Sequence, residues 1–537
     1  MLVMWLASAG PDWRAMRRQI LGASALAVAV LASGCASSRS VASTTTLAKA
    51  ASATVGSSAR VDSTAVSTTS TATTPPTTAT TPATTPSTST TLTTAPARSS
   101  WGNAADCPLG ALASAEKPVT IDFWFYSSGN RGDVLKAQIA KFNSSQSQIV
   151  VKAEFEGGPL GTEIFDKYSR TLGTAPGPDL VSDTGLETQS WLDSKSTVPM
   201  GACIAADGAD FSDLLPAVRA TGMNGTTMAA MPWGASGFDL YFNQAAFTKA
   251  GLDPNKPPTT LNEIRDASKK IVAAGAAKHG LSILAAANVL KNFFANSGEP
   301  WALSDVSGGR ADRSNGGGSF GLQLLTALHD MATAGELIAF PADDPSPDNL
   351  LAIASNDSAM AIAPAGSLGD VIAALKSGIG PGVVLGVAPF PRFGDRGSLN
   401  LEGSGAPIWL PRGGDPAKIE AAYRFSKWLM DPAQVADWVI KTGAISIRTS
   451  ANAEPALQQF WAQNPFFKVG TDQVSDPSRP VLATDARIGT GAVNTAFDDA
   501  AGAALTKGAD PAAALAAATK TADAAIKDYN GRSSTTG

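Results

Sequence analysis

Histidine is almost missing from this chain, with two in 537 residues, and cysteine is nearly as rare, with three. No cysteine pair or histidine cluster has metal-ligand spacing, which argues against a zinc-type centre and implies no cofactor. Charge is also thin at 16%, and it is unevenly placed. Residues 1–100 hold seven of the 41 basic and two of the 46 acidic side chains, leaving 34 against 44 beyond them. A phosphate backbone would be repelled by that remainder, so nucleic acid is excluded as a partner. No internal repeat is present. No apolar run reaches the roughly 20 residues that an untilted membrane span needs.

What the N-terminus does have is an address. Arg14, Arg17 and Arg18 precede a short apolar run from Ile20 to Leu31, closed by Ala32-Ser33-Gly34-Cys35. That order of basic, apolar and small residues reads as an export signal over 1–34. It resembles the bacterial lipoprotein lipobox, which implies that Cys35 carries lipid once the signal is cleaved, anchoring the chain at the extracytoplasmic face of the cell membrane. Arg17-Arg18-Gln19-Ile20-Leu21 loosely resembles a twin-arginine signal, so the general and twin-arginine routes both stay open. With Cys35 lipidated, Cys107 and Cys203 remain as an even pair in an exported chain, and a disulfide is predicted. Residues 35–100 are almost entirely Ser, Thr, Ala and Pro. Such a segment builds no core and reads as a tether with a coil dimension of about 45 Å.

Residues 101–530 mix helix and strand patterns over a length that exceeds one core, so two lobes are expected. Val119, Ile121, Phe123 and Phe125 alternate as on a strand. Asp133 can cap a helix with Leu135, Ile139 and Phe142 at helical spacing, and Ile149–Phe155 reads as the next strand. This βαβ order calls for a parallel sheet with sites at the carboxyl ends of its strands. Thr260 and Glu263 form a capping box before the stripe Ile264, Ala267 and Ile271, and Gly275 ends that helix. Residues 531–537 read as a frayed tail.

Several stretches carry a family likeness in the right order: Phe123-Trp124-Phe125 with Ser127-Ser128-Gly129, Lys141-Phe142-Asn143, Ala175-Pro176-Gly177-Pro178-Asp179, and Met231-Pro232-Trp233 through Leu240-Tyr241-Phe242-Asn243. Ala250-Gly251-Leu252-Asp253-Pro254 and Lys256-Pro257-Pro258-Thr259-Thr260 complete it. From about 119 to 530 the chain resembles the extracellular solute-binding proteins of family 1, which serve carbohydrate importers. The resemblance implies an α/β, two-lobed, type II periplasmic-binding-protein-like fold with discontinuous lobes joined by hinge strands. Lobe one is then expected at about 118–232 plus 385–430, and lobe two at about 233–384 plus 431–530. It implies a monomer that hands a small carbohydrate or phosphorylated polyol to ABC permease subunits, and that is not an enzyme. Within the family the chain is most similar to the glycerol-3-phosphate-binding subgroup, through Gly366-Ser367-Leu368, Gly405-Ala406, Lys441-Thr442-Gly443 and Arg487-Ile488-Gly489. Ser236, Ser367, Gly405 and Arg487 align with positions where that subgroup contacts ligand. The chain departs from the subgroup at Pro159-Leu160, Thr184-Gly185, Ala444 and Ala285 to Asn288.

A polar solute needs fixed donors and acceptors for its oxygens and aromatic rings for its apolar faces. Ser127, Ser128 and Asn130 before a helix start, Gly366 with Ser367, and the rings of Trp124, Trp233 and Trp301 are the candidates. Asp183, Thr184, Glu187 and Asp239 could accept from hydroxyls. The competing reading is a secreted cell-wall or carbohydrate-active hydrolase. It rests on Gly317-Gly318-Ser319-Phe320-Gly321, which matches G-x-S-x-G. That motif requires a buried strand before its serine, whereas Ala311 to Gly316 reads as loop.

Overall fold

The computed structural model describes residues 101–157, 163–174, 176–235, 237–305, 309–342, 348–394, 406–475 and 486–535. The export signal, Cys35 and the tether lie outside them, as do Ser236, Gly405 and the Pro159-Leu160 pair.

The alternation at 119–125 forms strand β1 (Val119–Phe125), which buries Val119, Ile121, Phe123 and Phe125 on one face and leaves Thr120, Asp122 and Trp124 half-buried on the other. Helices Gly129–Ser145 and Pro416–Leu429 cover the apolar face, bringing Phe142 and Phe123 within 5.0 and 5.8 Å of the Phe425 ring. Strands β2 (Ile149–Phe155) and β3 (Leu180–Ser182) flank β1 in parallel. The chain continues through β4 (Thr197–Val198) and β5 (Met231–Pro232), then leaves this sheet.

Five strands make a second sheet: β6 (Phe238–Asn243), β7 (His279–Ala285), β8 (Leu337–Pro341), β9 (Ser358–Pro364) and β10 (Leu385–Pro389). Their spatial order is β8-β7-β9-β6-β10, with β6 antiparallel to both neighbours. The return strand β11 (Pro407–Pro411) rejoins the first sheet antiparallel to β3, β4 and β5, giving β2-β1-β3-β11-β4 with β5 also on β11. Each sheet has its own core: Ile121, Phe123, Phe425 and Val439 lie in one, and Leu240, Ile283, Phe293 and Phe497 in the other. Two separately cored α/β lobes are therefore present. The chain passes between them after β5, after β10 and after helix Val469–Ser475. Where the first two passages run side by side, a Cβ on Gly234 would stand 3.0 Å from the Ala406 methyl.

The expected boundaries shift in several places. The segment 385–389, expected in lobe one, is β10 of the second sheet, because it pairs with the free side of β6. Residues beyond 431, expected in lobe two, pack into the first core through Val435, Val439, Leu457 and Trp461, the apolar stripes of helices Pro432–Thr442 and Pro455–Gln463. Asp133 does not cap its helix, which begins four residues earlier at Gly129 with Ser128 in the N-cap position. The last helix, Pro511–Thr535, runs past residue 531, continued by an Arg532–Asp528 pair at 2.9 Å and a Ser533 hydroxyl donating to the Tyr529 carbonyl at 3.0 Å.

The capping box is present: Thr260 Oγ1 accepts from the Glu263 amide at 3.2 Å, and Glu263 Oε2 accepts from the Thr260 amide at 3.2 Å. Cys107 and Cys203 are joined, with Cα atoms 5.0 Å apart. This ties the segment from Trp101 to helix Met200–Asp207, where the two backbones approach so closely that a Cβ on Gly201 would stand 1.8 Å from the Trp101 carbonyl oxygen. Among the described residues no helix is long and apolar enough to cross a membrane.

Candidate functional site

β1 and β3 are parallel neighbours with Phe125 opposite Ser182, so the chain leaves the first sheet side by side at Tyr126 and at Asp183. Asp183 is fully buried. One carboxyl oxygen accepts from the Trp191 indole N–H and the other from the Thr184 amide, each at 2.6 Å. Burial nevertheless outweighs those bonds and pushes the carboxyl up to about 8, helped by the nearby Glu187 and Asp166. Burial also raises the Tyr126 phenol, which interacts with Arg131, Asp183 and Ser127. Glu187, pushed up by burial, accepts from the Ser190 hydroxyl at 3.0 Å.

The second lobe brings the end of β9 to this place. Tyr241 donates to the carbonyls of Pro364 at 2.8 Å and Ala365 at 3.2 Å, fixing the turn Ala365–Ser367. Arg131, in the first turn of helix Gly129–Ser145, reaches it: a Cβ on Gly366 would stand 1.9 Å from Arg131 Nη2. The lobes touch again further along. Asp193 of lobe one accepts from the Tyr529 hydroxyl at 2.6 Å and pairs with Arg310, whose guanidinium lies 5.7 Å from the Tyr529 ring centre. Arg310 and Arg487 are held together by the parallel pairing of Gly309–Arg310 with Ala486–Arg487. Arg487 Nη1 donates to Asn224 Oδ1 at 3.0 Å and Nη2 to the Met223 carbonyl, both on the first lobe's hairpin of Met223–Asn224 and Thr227–Met228. Ser190 Oγ donates to the Gly489 carbonyl at 3.4 Å.

The candidates from sequence fall into three groups. Ser127 is buried beside Tyr126, Ser128 and Ser367 occupy N-cap positions without a side-chain capping bond, and Asp183, Thr184 and Glu187 line the same strand ends. Arg487 is at the lobe junction but spends its donors on the hairpin, and burial holds its guanidinium below the usual arginine range. Other candidates are packing residues. Trp233 is 3% exposed with its ring 4.7 Å from Trp438, and Trp301 is wedged between Phe294 and Phe497. Trp124 packs beside the stacked Trp191 and Trp409 rings, with the Lys167 ammonium 5.0 Å from its ring centre. Asn130 donates to the Lys441 carbonyl at 2.9 Å. Asp239 is 2% exposed, pushed up to about 8 by burial, and accepts from the Gln473 amide at 3.2 Å. Ahead of Ser319 lie only the two-residue strand Arg313–Ser314 and a turn, and His329 Nδ1 sits 2.9 Å from the Ala504 carbonyl oxygen.

Sequence reasoning missed Tyr126 and Arg131, although they bracket the Ser127-Ser128 pair that it singled out. Asp193, Arg310 and Tyr529 gave no local signal, since they meet across 117 and 336 positions of chain. Among the described residues no group of three or more His, Cys, Asp or Glu could hold a metal ion.

Comparison with known proteins gives consistent relatives. The family described as bacterial extracellular solute-binding protein matches residues 137–468, well over half of the chain. The sn-glycerol-3-phosphate-binding periplasmic protein UgpB of Yersinia pestis is 26% identical over 426 residues, covering 78% of this chain and 94% of that protein. UgpB of Pectobacterium atrosepticum is 25% identical over 434 residues, covering 79% and 96%. Among solved structures, the cyclic α-maltosyl-1,6-maltose binding protein from Arthrobacter globiformis superposes with a TM-score of 0.60 at 20% identity, covering 76% of this chain and all of that one. UgpB from Mycobacterium tuberculosis in complex with glycerophosphocholine does so with a TM-score of 0.59 at 19% identity, covering 76% and 99%. At such identities the solved structures establish the shared two-lobed fold.

Proposed function

The chain belongs to the bacterial extracellular solute-binding proteins, and we propose that it is the extracytoplasmic receptor of an ABC importer. It captures a carbohydrate, polyol or glycerol-phosphate-like solute between its lobes and delivers it to the permease subunits. The observation that carries this reading is the meeting of polar strand ends: Tyr126, Ser127 and Asp183 leave the first sheet where Arg131 reaches the Ala365–Ser367 turn of the second. A cleft at the carboxyl ends of strands from two separately cored lobes suits a solute that both halves must desolvate together. Bridging the gap favours the closed arrangement over the open one, and the closed face is what a permease can read.

The remaining parts fit that task. A lipid on Cys35 and a tether over 35–100 keep a monomeric receptor near its membrane partner while letting it sample solute. The Cys107–Cys203 bond suits an oxidising compartment. A thermal-shift screen of sugars, polyols, sugar phosphates and glycerophosphodiesters tests the proposal. One chemical class should raise the melting temperature in a concentration-dependent way and be recovered intact. Turnover of the stabilising compound, or no stabilisation by any class, would count against it.

A further inference from the structure

We propose that Arg131 is the specificity-determining cation of the cleft, selecting solutes that carry a phosphate or phosphodiester over neutral sugars. This rests on the receptor reading above and goes beyond it by naming the group that reads charge.

The position of the side chain is the first observation. Arg131 stands three residues into the helix that follows β1, half-buried, and its guanidinium crosses to the other lobe. Gly366 has no left-handed backbone torsion, so its conformation does not call for glycine. The approach of Arg131 does, since a Cβ there would stand 1.9 Å from Nη2 and 3.1 Å from Cζ. The guanidinium is thus seated against bare backbone of the opposite lobe, at the junction where a solute held between the lobes would lie.

The second observation is that its donors are unclaimed. Among the described residues no carboxylate and no hydrogen-bond acceptor pairs with Arg131, whereas the other two arginines at the lobe junction are spent. Arg310 is paired with Asp193, and Arg487 holds Asn224 and the Met223 carbonyl. Arg487 aligns with a position where the glycerol-3-phosphate-binding subgroup contacts ligand, and here its guanidinium donates across the junction to Asn224 and the Met223 carbonyl. Asp183 does not cancel Arg131 either, because both its oxygens accept from Trp191 and Thr184, and burial keeps its carboxyl largely neutral at pH 7. The Tyr126 phenol, which interacts with Ser127, lies within electrostatic reach of Arg131. A planar fork of five donors in a partly desolvated place gains most from ionised oxygens, which accept about twice as strongly as a sugar hydroxyl.

Calorimetry at pH 7 on the full mature protein tests this with sn-glycerol 3-phosphate, glycerophosphocholine, inorganic phosphate and maltose. The wild type should bind a phosphate-bearing solute more tightly than maltose. Arg131→Ala and Arg131→Gln should weaken that solute by at least about 10-fold, the scale of a lost charged hydrogen bond, with Arg131→Lys recovering part of the loss. Gly366→Ala should weaken it as well, without any change of charge, by displacing the guanidinium. Melting temperatures within a few degrees of wild type certify folding, and the glutamine variant serves should the alanine variant fail that check. Unchanged affinity in both neutral variants overturns the proposal, as does tighter binding of maltose in the wild type. In the maltose case the receptor reading survives and only the role of Arg131 falls. Failure of all three phosphate-bearing solutes to bind likewise ends the selectivity for anions, while the wider thermal-shift screen judges the receptor reading separately.

Discussion

Buried carboxyls are the residues whose chemistry departs furthest from their usual behaviour here. Asp239 sits on β6, where the Gln473 amide donates to it, and its carboxyl is pushed up to about 8 by burial. Its folded value lies above the unfolded value of about 4, so the folded state holds a proton that the unfolded chain has released. The resulting stability is complete below about pH 4 and is lost as pH rises toward 8, by at most about 1.4 kcal/mol per pH unit. Asp239→Asn keeps an acceptor for Gln473 and cannot ionise. Its melting temperature should therefore fall less than that of the wild type between pH 5 and pH 8; parallel curves would show that Asp239 does not titrate in this range. That Asp239 and Asp183 differ from surface aspartates was only faintly legible in the sequence. A run such as Phe238-Asp239-Leu240-Tyr241 hints at a buried strand, but the depth of each carboxyl depends on which elements cover it.

Secondary elements were the most legible level, because their causes are local. The alternation of β1 and the capping box at Thr260 both rest on residues within a few positions of each other. Thr260→Ala removes the acceptor for the Glu263 amide at the start of helix Leu261–Ala273. It should lower stability by about 1 kcal/mol, read as a reduced midpoint in urea with an unchanged slope. Glu263 also accepts from the Thr259 amide at 2.6 Å, so Glu263→Ala on the same background should cost further stability. Among the elements misplaced from sequence, β10 has no distinguishing local feature. Leu385-Gly386-Val387-Ala388-Pro389 could pair with either sheet, and only the vacant side of β6 decides which.

At the scale of the whole molecule, two long-range ties await measurement. Asp193 joins the lobes by accepting from Tyr529 and Arg310. Tyr529→Phe removes one of those bonds without touching the strand ends. It should shift the population toward open forms and weaken apparent solute affinity by about 5- to 10-fold, the scale of one such bond. Small-angle scattering of the ligand-free variant should show a larger radius of gyration, and an unchanged radius with unchanged affinity would mean that the bond is not felt in solution. The second tie is the Cys107–Cys203 bond, which closes a loop with a sequence separation of 96. In the chain-entropy model it stabilises by about 4–5 kcal/mol. Replacing both cysteines with serine should lower the melting temperature markedly, and two free thiols in the non-reduced wild type by mass spectrometry would refute the pairing.

Taken alone, the sequence determined the α/β class, the existence of two lobes and the family likeness, because periodicity, capping and ordered motifs are written in neighbouring residues. It could name Ser127, Ser128 and Arg487 as candidates for a cleft, but not the work that each side chain is free to do. The tertiary structure decided that Arg487 is occupied by the hairpin, that Trp233 and Trp301 are core, and that Arg131, whose donors pair with no acceptor among the described residues, lies against Gly366. These assignments depend on which groups already have partners. Partners drawn from opposite lobes are set by how two separate cores come together, which no local pattern encodes.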